Sequence, residues 1–462
     1  MRDPFDDLDP EVPGPGEPGG GGLVPVRFTE DALAATFADR YAETWRYVSA
    51  WGQWLTWSGV VWQREDTLRA FDLARRVCRE AAAQSDAAKK AKLSSAATVS
   101  AVERLARADR SHASTTEVWD RDPWQLNTPK GVVDLRSGTV APHDKRLHMT
   151  KTAGASASGD CPLWMEFLDT VTAGDAELQV YLQRMAGYCL SGVTREHALF
   201  FLYGTGANGK SVFVGALTAI MGDYATGAPM DMFMASRGDR HPTDMAGLRG
   251  ARIVTSIETE QGSRWAESKL KALTGGDKIT ARFMRQDFFE FMPQFKLVIV
   301  GNHKPSIRSV DEAMKRRLHM VPFTVKIPEA MRDKRLPDRL LAERDGILAW
   351  ALIGCLEWQR TGLRPPPAVM AATKDYFEAE DTLARWIGER CVKGPQHTEG
   401  SAALYSSWKA WAEASGEYAR SMKRFSETLS ARGFQKWDTR EVRGFRGIAL
   451  KGNTDDIFEG AK

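Results

Sequence analysis

An apolar run, Ala198 to Tyr203, leads without a break into Gly204-Thr205-Gly206-Ala207-Asn208-Gly209-Lys210-Ser211, and a helix-forming stretch from Val212 to Ile220 follows. A continuous apolar run reads as a strand buried on both faces, so the spacing GxxxxGKS falls between a strand and a helix. Residues of these types in that place make a cradle for phosphate. Backbone amides of the glycine-rich turn and of the helix N-terminus point at phosphate oxygens, Lys210 neutralises β- and γ-phosphate charge, and the Ser211 hydroxyl takes a magnesium ion. Gly209 permits close backbone approach. Gly204, Thr205, Gly206, Ala207, Asn208, Gly209, Lys210, Ser211 and Val212 are therefore the candidate nucleotide ligands, with ATP and Mg2+ as the expected cofactors.

Two further strands bring candidates to the same place. Arg252 to Ile257 ends in Glu258, with Glu260 two residues on. An acid at the tip of the strand beside the phosphate loop can hold the magnesium shell and polarise an attacking water, and alternation along extended chain puts both acids on one side. Glu258 is the expected primary acid and metal ligand; Glu260 is either its helper or a surface glutamate. The strand Lys296 to Gly301 delivers Asn302, an amide that can orient water and sense the γ-phosphate, or that simply makes a turn. Loop, acid and amide each follow a buried strand, at the edge where open α/β sheets bind ligands. Arg316 and Arg317 come next. A planar, permanently charged guanidinium suits a transferring phosphoryl group and, in ring motors, can enter from the neighbouring subunit. Arg316 is the first choice for such a finger and Arg317 its rival, each with a structural salt bridge as the alternative.

The elements that must position these residues can be read around them. The alternation of strands and helices over 196–365 predicts a P-loop α/β core. Helical periodicity over 161–195, carried by Trp164, Phe167, Leu168, Val180, Leu182, Met185 and Cys189, predicts a helical collar ahead of it. Residues 24–160 read as an α+β domain. In it Trp51, Trp54, Trp57 and Trp62 flank a Ser58-Gly59 turn, and core packing is favoured over stacking on nucleic acid. Ala81 to Ala108 reads as a solvated helix or helix pair, and Trp124 to Gly138 as scaffold with turns at both ends. Residues 1–23, rich in Asp, Pro and Gly, are expected to be disordered.

Beyond Pro365-Pro366-Pro367, residues 366–462 shift to short amphipathic helices. Leu404, Trp408 and Trp411 share one helical face; Phe425 and Leu429 share another in a helix that follows Ser421 and stops at Gly433. Phe434 to Trp437 and Val442 to Leu450 then suit the two strands of a wing. This winged-helix candidate carries Lys423, Arg424, Arg432, Lys436, Arg440, Arg443 and Arg446, which fit the phosphates of duplex or forked DNA. A protein-docking module is the alternative.

Composition excludes little. The 462-residue chain is 43% hydrophobic and 27% charged, with a net charge of +3, so local clusters rather than the whole-chain field must attract a polyanion. No run approaches the roughly 20 apolar residues of a membrane span. The five cysteines lie at no zinc spacing, which fits a reducing, cytoplasmic setting.

The order of these motifs resembles the superfamily 3 (AAA+) DNA helicases, and more narrowly the phage/plasmid primase-helicase family related to the poxvirus primase-helicase. The segments that carry the resemblance are WLTWSGVVW, LNTPKGVVDLRSG, YLQRMAGYCL, LYGTGANGKS, LRGARIVTSIETE, LKALTGGDKITARFMRQDFFEFMPQFKLVIVGNHKP and MKRRLHMVPF. The resemblance implies an AAA+ core with an α+β N-terminal domain, a helical collar and a C-terminal winged-helix-like domain. It also implies an ATP-dependent replicative DNA helicase of a phage, plasmid or other mobile element. Such a protein works as a homo-oligomer, expected to be a hexamer, in the cytoplasm of a bacterial host. It draws single-stranded DNA through its pore from 3′ to 5′ at a fork, beside a separate primase or replication protein. In that family a β-hairpin between the acidic strand and the Asn strand grips DNA in the pore. Here it would span Lys278 to Pro293, with Lys278, Arg282 and Arg285 following phosphates and Arg285 nearest the tip. Two positions depart from the family pattern: Thr259 separates Glu258 from Glu260 where adjacent acids are common, and Lys130 stands where Asn is usual. Asp120-Arg121-Asp122 has DxD spacing but precedes Pro123 at a turn, so primer synthesis by this chain alone is not expected. An ATP-switched DNA-binding replication initiator that does not unwind is the alternative function.

Overall fold

The computed structural model describes residues 28–235, 243–257, 262–283, 287–307, 311–416, 419, 421–438 and 442–452. The chain forms two compact units, Met1–Trp119 and Asp120–Lys462. The division comes well before residue 160, where the sequence reading ended the N-terminal domain.

In the first unit three longer helices, Glu30–Tyr41, Arg69–Ala83 and Ala96–Ala108, pack beside a four-stranded sheet. The core holds Leu33, Phe37, Trp45, Trp54, Leu73, Val77, Val99 and Val102. Trp54 is buried, and its indole donates to Glu103 at 2.7 Å, which pairs with Arg107. Trp62 meets Trp119 edge to face in a second small cluster with Val48 and Leu55. Tryptophan packing in the interior is thus what the structure shows. The Ala-rich segment holds the expected helix pair, Ala87–Leu93 and Ala96–Ala108, but the second helix is not simply solvated, because it buries Val99, Val102 and Ala106.

The second unit is built on a parallel sheet of five strands: β1 (Leu199–Tyr203), β2 (Ala225–Gly227), β3 (Ile253–Ile257), β4 (Lys296–Gly301) and β5 (Leu318–Pro322). Their order is β5-β1-β4-β3-β2. Both faces are covered, as the unbroken apolar strands require. Phe200 and Leu202 of β1 turn to one side, with α1 (Pro162–Thr172), α2 (Ala176–Leu190), α3 (Lys210–Met221) and α4 (Arg344–Thr361). Leu199 and Phe201 turn to the other, against Trp265, Leu270 and α5 (Pro367–Glu380). The expected collar is therefore part of the main core. Helices α2 and α4 cross where glycines meet: a Cβ on Gly187 would lie 2.0 Å from the Cys355 nitrogen, and one on Gly354 would lie 2.0 Å from the Gln183 carbonyl.

Helix α5 also belongs to this core rather than to a third domain starting at residue 366. The Met320 amide donates to Thr373 at 3.0 Å, and Trp265 donates to Tyr376 at 3.1 Å. A separate cluster begins at Thr382. Its elements run helix Thr382–Arg390, strand Cys391–Gly400, helix Ser401–Ala414, helix Met422–Ala431, then strands Gln435–Asp438 and Arg443–Leu450. The strands form an antiparallel sheet with the last in the middle. Trp386, Leu404, Trp408, Trp411, Phe425 and Leu429 fill its interior, and the Ser421 side chain caps the third helix.

At the N-terminal ends of β3 and β4 two cations are buried without carboxylates among their described hydrogen-bond partners. Arg252 donates to the Leu190 and Gln125 carbonyls at 2.8 and 2.6 Å. Lys296 donates to the Ser191, Gln294 and Val193 carbonyls and lies 4.8 Å from the Tyr188 ring. These contacts tie the end of α2 and the 125–134 hairpin to the sheet. Burial pushes Lys296 down to about 7, with Arg252 adding to the fall and the thiols of Cys189 and Cys355 opposing it.

A pH signature follows. The unfolded chain keeps a lysine protonated to about pH 10.4, so between about pH 7 and 8.5 the unfolded state binds more protons and stability rises with pH. Higher up, burial holds Cys189 at about 12 and Cys355 at about 11, so the unfolded thiols ionise first and stability falls again. All five cysteines are held above their unfolded value by burial and oppose this gain in wild type and variant alike, so the lysine shows in the difference: urea denaturation is expected to give wild type about 1–2 kcal/mol more gain than Lys296→Met between pH 7 and 8.5. Parallel profiles for the two proteins would mean that the carbonyl cage keeps the ammonium charged.

Candidate functional site

The loop between β1 and α3 is held in a shape that needs its glycines. Gly206, Ala207 and Gly209 have φ of 94°, 51° and 82°. Ala207 pays strain that glycine would not, and its carbonyl accepts from the Ile327 amide at 2.9 Å. Gly209 is doubly restricted, since a Cβ there would also lie 2.5 Å from Val171 and 3.0 Å from Phe167 of α1. Asn208 is buried; its amide donates to the Phe323 carbonyl at 2.7 Å. The segment after β5 and the helix α1 thus brace the loop from two sides.

Lys210 begins α3 and is only 4% exposed. Its ammonium donates to the Gly204 carbonyl at 2.8 Å and to Asn208 Oδ1 and Asn302 Oδ1, each at 3.2 Å. All three described partners are neutral, and burial lowers its pKa. Thr205, Ala207 and Ser211 are exposed beside it. A cation that is nearly dry, opening onto a loop with solvent-facing residues at a helix N-terminus, fits a polyphosphate. With phosphate oxygens on the loop, Ser211 stands where its hydroxyl can join a magnesium shell.

The structure brings Lys210 and Asn302 together because β4 lies next to β1. The strand beside the loop is therefore the Asn302 strand, and not the acidic one as the sequence reading had it. Strand β3 is one place further out and ends at Ile257. Glu258 and Glu260 lie outside the described residues.

Arg316 and Arg317 precede β5. Leu318 is in register with Leu199, and Pro322 with Tyr203. The two arginines therefore sit at the opposite end of the sheet from the loop, a strand of five residues away, about 16 Å at ~3.3 Å per residue. They are not placed to reach this chain's own loop. Arg316 is exposed, with Nε donating to the Glu312 carbonyl at 3.3 Å. Arg317 is half-buried and donates to the Ala313 carbonyl at 2.9 Å.

The hairpin expected at Lys278 to Pro293 is present as Ile279–Ala281 paired antiparallel with Phe289–Phe291. Arg285 falls outside the described residues. Lys278 pairs with Glu290 at 3.5 Å across exposed surface, and Arg282 lies 4.8 Å over the Phe288 ring. Phe288 is 59% exposed, and Phe283, also exposed, stacks on Phe289. The sequence reading picked out the cations here and passed over the aromatics. It also missed the Asn208 brace and the Phe323 carbonyl, for which nothing local in the chain gives a signal.

Asn208→Ala would leave the Phe323 carbonyl without this buried donor and would remove one of the three oxygens that hold the Lys210 ammonium. A stability loss of about 1–3 kcal/mol is expected, together with at least tenfold weaker ADP binding by calorimetry. Unchanged ADP affinity would show that the loop keeps its shape without this brace.

Known proteins match both parts of this architecture. Residues 34–173 match the family described as D5 N terminal like, and residues 202–317 match a family of unknown function, DUF5906. A protein of Acanthamoeba polyphaga mimivirus that carries a helicase name is 28% identical over 260 residues, covering 51% of this chain and 27% of the relative. One of Frog virus 3, also with a helicase name, is 26% identical over 313 residues, covering 62% and 30%. A protein of African swine fever virus that carries a primase name is 24% identical over 221 residues, covering 43% and 23%. The chain spans less than a third of the length of each of these relatives. Among solved structures, the apo NrS-1 C-terminal region aligns with a TM-score of 0.53 at 10% identity, covering 91% of this chain and 99% of that one.

Proposed function

Because the chain belongs to the phage and viral primase-helicase family, we propose that it is an ATP-driven replicative DNA helicase of the superfamily 3, AAA+ type. The observation that carries this reading is the contact between Lys210 and Asn302, which joins a buried phosphate-loop cation to an amide at the tip of the neighbouring strand. ATP binds with its phosphates on Gly204 to Ser211, its β- and γ-phosphates on Lys210, and magnesium at Ser211 and Glu258. Glu258 polarises the attacking water, Glu260 assists, and Asn302 couples loss of the γ-phosphate to the sheet. When bound, magnesium supplies charge neutralisation at the transferring phosphoryl group.

Placement of Arg316 at the far end of the sheet supports a role in a neighbouring copy's site, and hence a closed homo-oligomer, taken as a hexamer. Arg316 is preferred to Arg317 because it is the more exposed. The hairpin carries Lys278, Arg282 and Arg285 to single-stranded DNA in the pore, with movement from 3′ to 5′. Exposed Phe283 and Phe288 add faces on which unpaired bases stack.

The cluster from Thr382 is a winged helix: its order of helix, strand, two helices and two strands, with the last strand central, supports that reading. Lys423, Arg424, Lys436 and Arg446 are exposed and, among the described residues, in no ion pair; they contact duplex phosphates at the fork. Arg432 and Arg443 are taken up by Asp381 and Asp438, and Arg440 lies outside the described residues. Among the described residues no helix is long and apolar enough to cross a membrane.

The test is unwinding of a forked duplex with a 3′ tail, with ATPase rates recorded in parallel. Wild type is expected to separate strands. Lys210→Ala is expected to lose both activities, whereas Arg282→Ala and Arg285→Ala keep basal hydrolysis and lose unwinding. A wild-type protein that hydrolyses ATP and binds the fork but never separates it would overturn the helicase reading in favour of an ATP-switched initiator.

A further inference from the structure

Between α5 and the start of helix Thr382–Arg390, beside the residues that lead into β5, lies a cavity of about 720 Å³. Leu318, Val369 and Phe377 are buried in its walls, and Met370, which also lines it, is 57% exposed. His319 adds no charge to the lining, because burial holds it down to about 4 and its Nδ1 lies 2.8 Å from the Tyr181 hydroxyl. Four other cations and three acids line the cavity, and most are already engaged. Lys315 pairs with Glu312 at 2.9 Å and Lys374 with Glu378 at 3.7 Å. Asp381 is taken by Arg432, and Glu196 accepts from the Trp358 indole at 2.8 Å. Arg316 and Arg364 are left, both exposed and, among the described residues, in no ion pair. Space and apolar surface on this scale suit a ligand. Two unmatched guanidinium groups beside them select one that joins carboxylates to bulky apolar side chains.

The chain itself contains such a segment. Asp455-Asp456-Ile457-Phe458-Glu459 sets three carboxylates around two large apolar side chains. It belongs to residues 453–462, which lie outside the described residues. The point from which it departs is fixed. Strand Arg443–Leu450 ends paired with Cys391, and Lys451 then donates from its amide to the Arg390 carbonyl at 2.8 Å and from its ammonium to the Gly388 carbonyl at 2.7 Å. The chain is thereby held at the C-terminal end of helix Thr382–Arg390, whose N-terminal end brings Asp381 and Ala384 to the cavity. Those two ends are about 14 Å apart at 1.5 Å per residue. Extended chain from Gly452 spans about 10 Å to Asp455 and about 20 Å to Phe458, so the acidic and apolar residues fall within reach.

We propose that Asp455 to Glu459 docks in this cavity of its own chain, with Ile457 and Phe458 against Val369 and Met370 and the aspartates on Arg316 and Arg364. Exposed ion pairs contribute little singly, but so short a tether holds the segment at an effective concentration on the order of millimolar, and weak contacts then suffice. A docked segment occupies Arg316, so a neighbouring copy's phosphates have to displace it, and hydrolysis is slowed. That consequence rests on Arg316 acting as a finger; the docking does not.

The experiment closes a disulfide in the full chain. Met370→Cys with Phe458→Cys is oxidised with diamide and followed by non-reducing electrophoresis, beside Met331→Cys with Phe458→Cys. Met331 is 69% exposed and follows the segment that braces the phosphate loop, at the other end of β5. The five native cysteines are buried and do not compete. The Met370 pair is expected to close within one chain at least tenfold faster than the Met331 pair. Added Arg364→Glu is expected to slow it several-fold, and Asp455→Lys with Asp456→Lys to restore it; both altered cavity residues are exposed, so folding is not at stake. Equal rates for the two pairs would overturn the docking, and so would disulfides formed only between chains, which would make a second copy's segment the occupant. Ile457→Ser with Phe458→Ser is expected to hydrolyse ATP several-fold faster than wild type. An unchanged rate beside a closed disulfide would overturn the brake. A wild-type chain without any hydrolysis would place the failure in the helicase reading, with the disulfide still deciding the docking.

Discussion

A lysine ammonium almost wholly withdrawn from water, with only neutral oxygens described around it, is the constraint on which the second unit depends. Taking such a charge out of water costs several kcal/mol unless an opposite charge meets it. The carbonyl of Gly204 and the amide oxygens of Asn208 and Asn302 hold Lys210 in place without neutralising it. Everything that fixes those oxygens is therefore in service of the ammonium. Strand β1 sets Gly204, the Phe323 carbonyl after β5 sets Asn208, and β4 sets Asn302. Helix α1 closes the remaining side, where Val171 and Phe167 leave no room for a Cβ on Gly209. Three strands and a helix distant in sequence converge on one nitrogen.

This convergence explains which features could be read from the chain. The loop was legible because its chemistry is local: glycines, lysine and serine act at fixed spacing between a strand and a helix, and all fall within a few residues. The helices of the cluster from Thr382 were legible for a similar reason, since Trp408 and Trp411, or Phe425 and Leu429, announce their helical faces within one or two turns. Strand order was not. Nothing in Arg252 to Ile257 tells that β4, rather than β3, lies against β1, because neighbouring in a parallel sheet is decided by crossovers far apart in sequence. The same holds for Asn208, whose partner Phe323 is a backbone carbonyl with no side-chain signature. Domain limits failed in the same way: α5 follows a proline run that looks like a linker, yet Thr373 and Tyr376 bind it to the core.

Buried cations recur at the other end of the sheet. Arg252 and Lys296 lie at the starts of β3 and β4, and both donate to carbonyls of segments that precede the loop strand, Lys296 also to the Gln294 carbonyl beside it. An apolar side chain could fill the same space, but it could not satisfy backbone carbonyls stranded at a helix end. The price is a charge held in low dielectric, so this anchor is sensitive to protonation where a hydrophobic one would not be. The sheet thus carries a buried lysine at each end, each held by neutral oxygens of its own chain.

On the proposed reading, the hairpin has to distinguish a single strand from a duplex, and its composition bears on that directly. Phosphate contacts from Lys278 and Arg282 would serve either form, because both carry the same backbone charge. The exposed rings of Phe283 and Phe288 would not. Base faces in a duplex are already stacked on one another, whereas those of a single strand are free to lie on an aromatic side chain. Leaving two phenylalanines in water has a cost that a purely electrostatic grip would not incur. Arg282 lies over the Phe288 ring, so cation and ring are presented together on one surface. It is the aromatics, more than the cations that first drew notice in the sequence, that favour an unpaired strand at this hairpin.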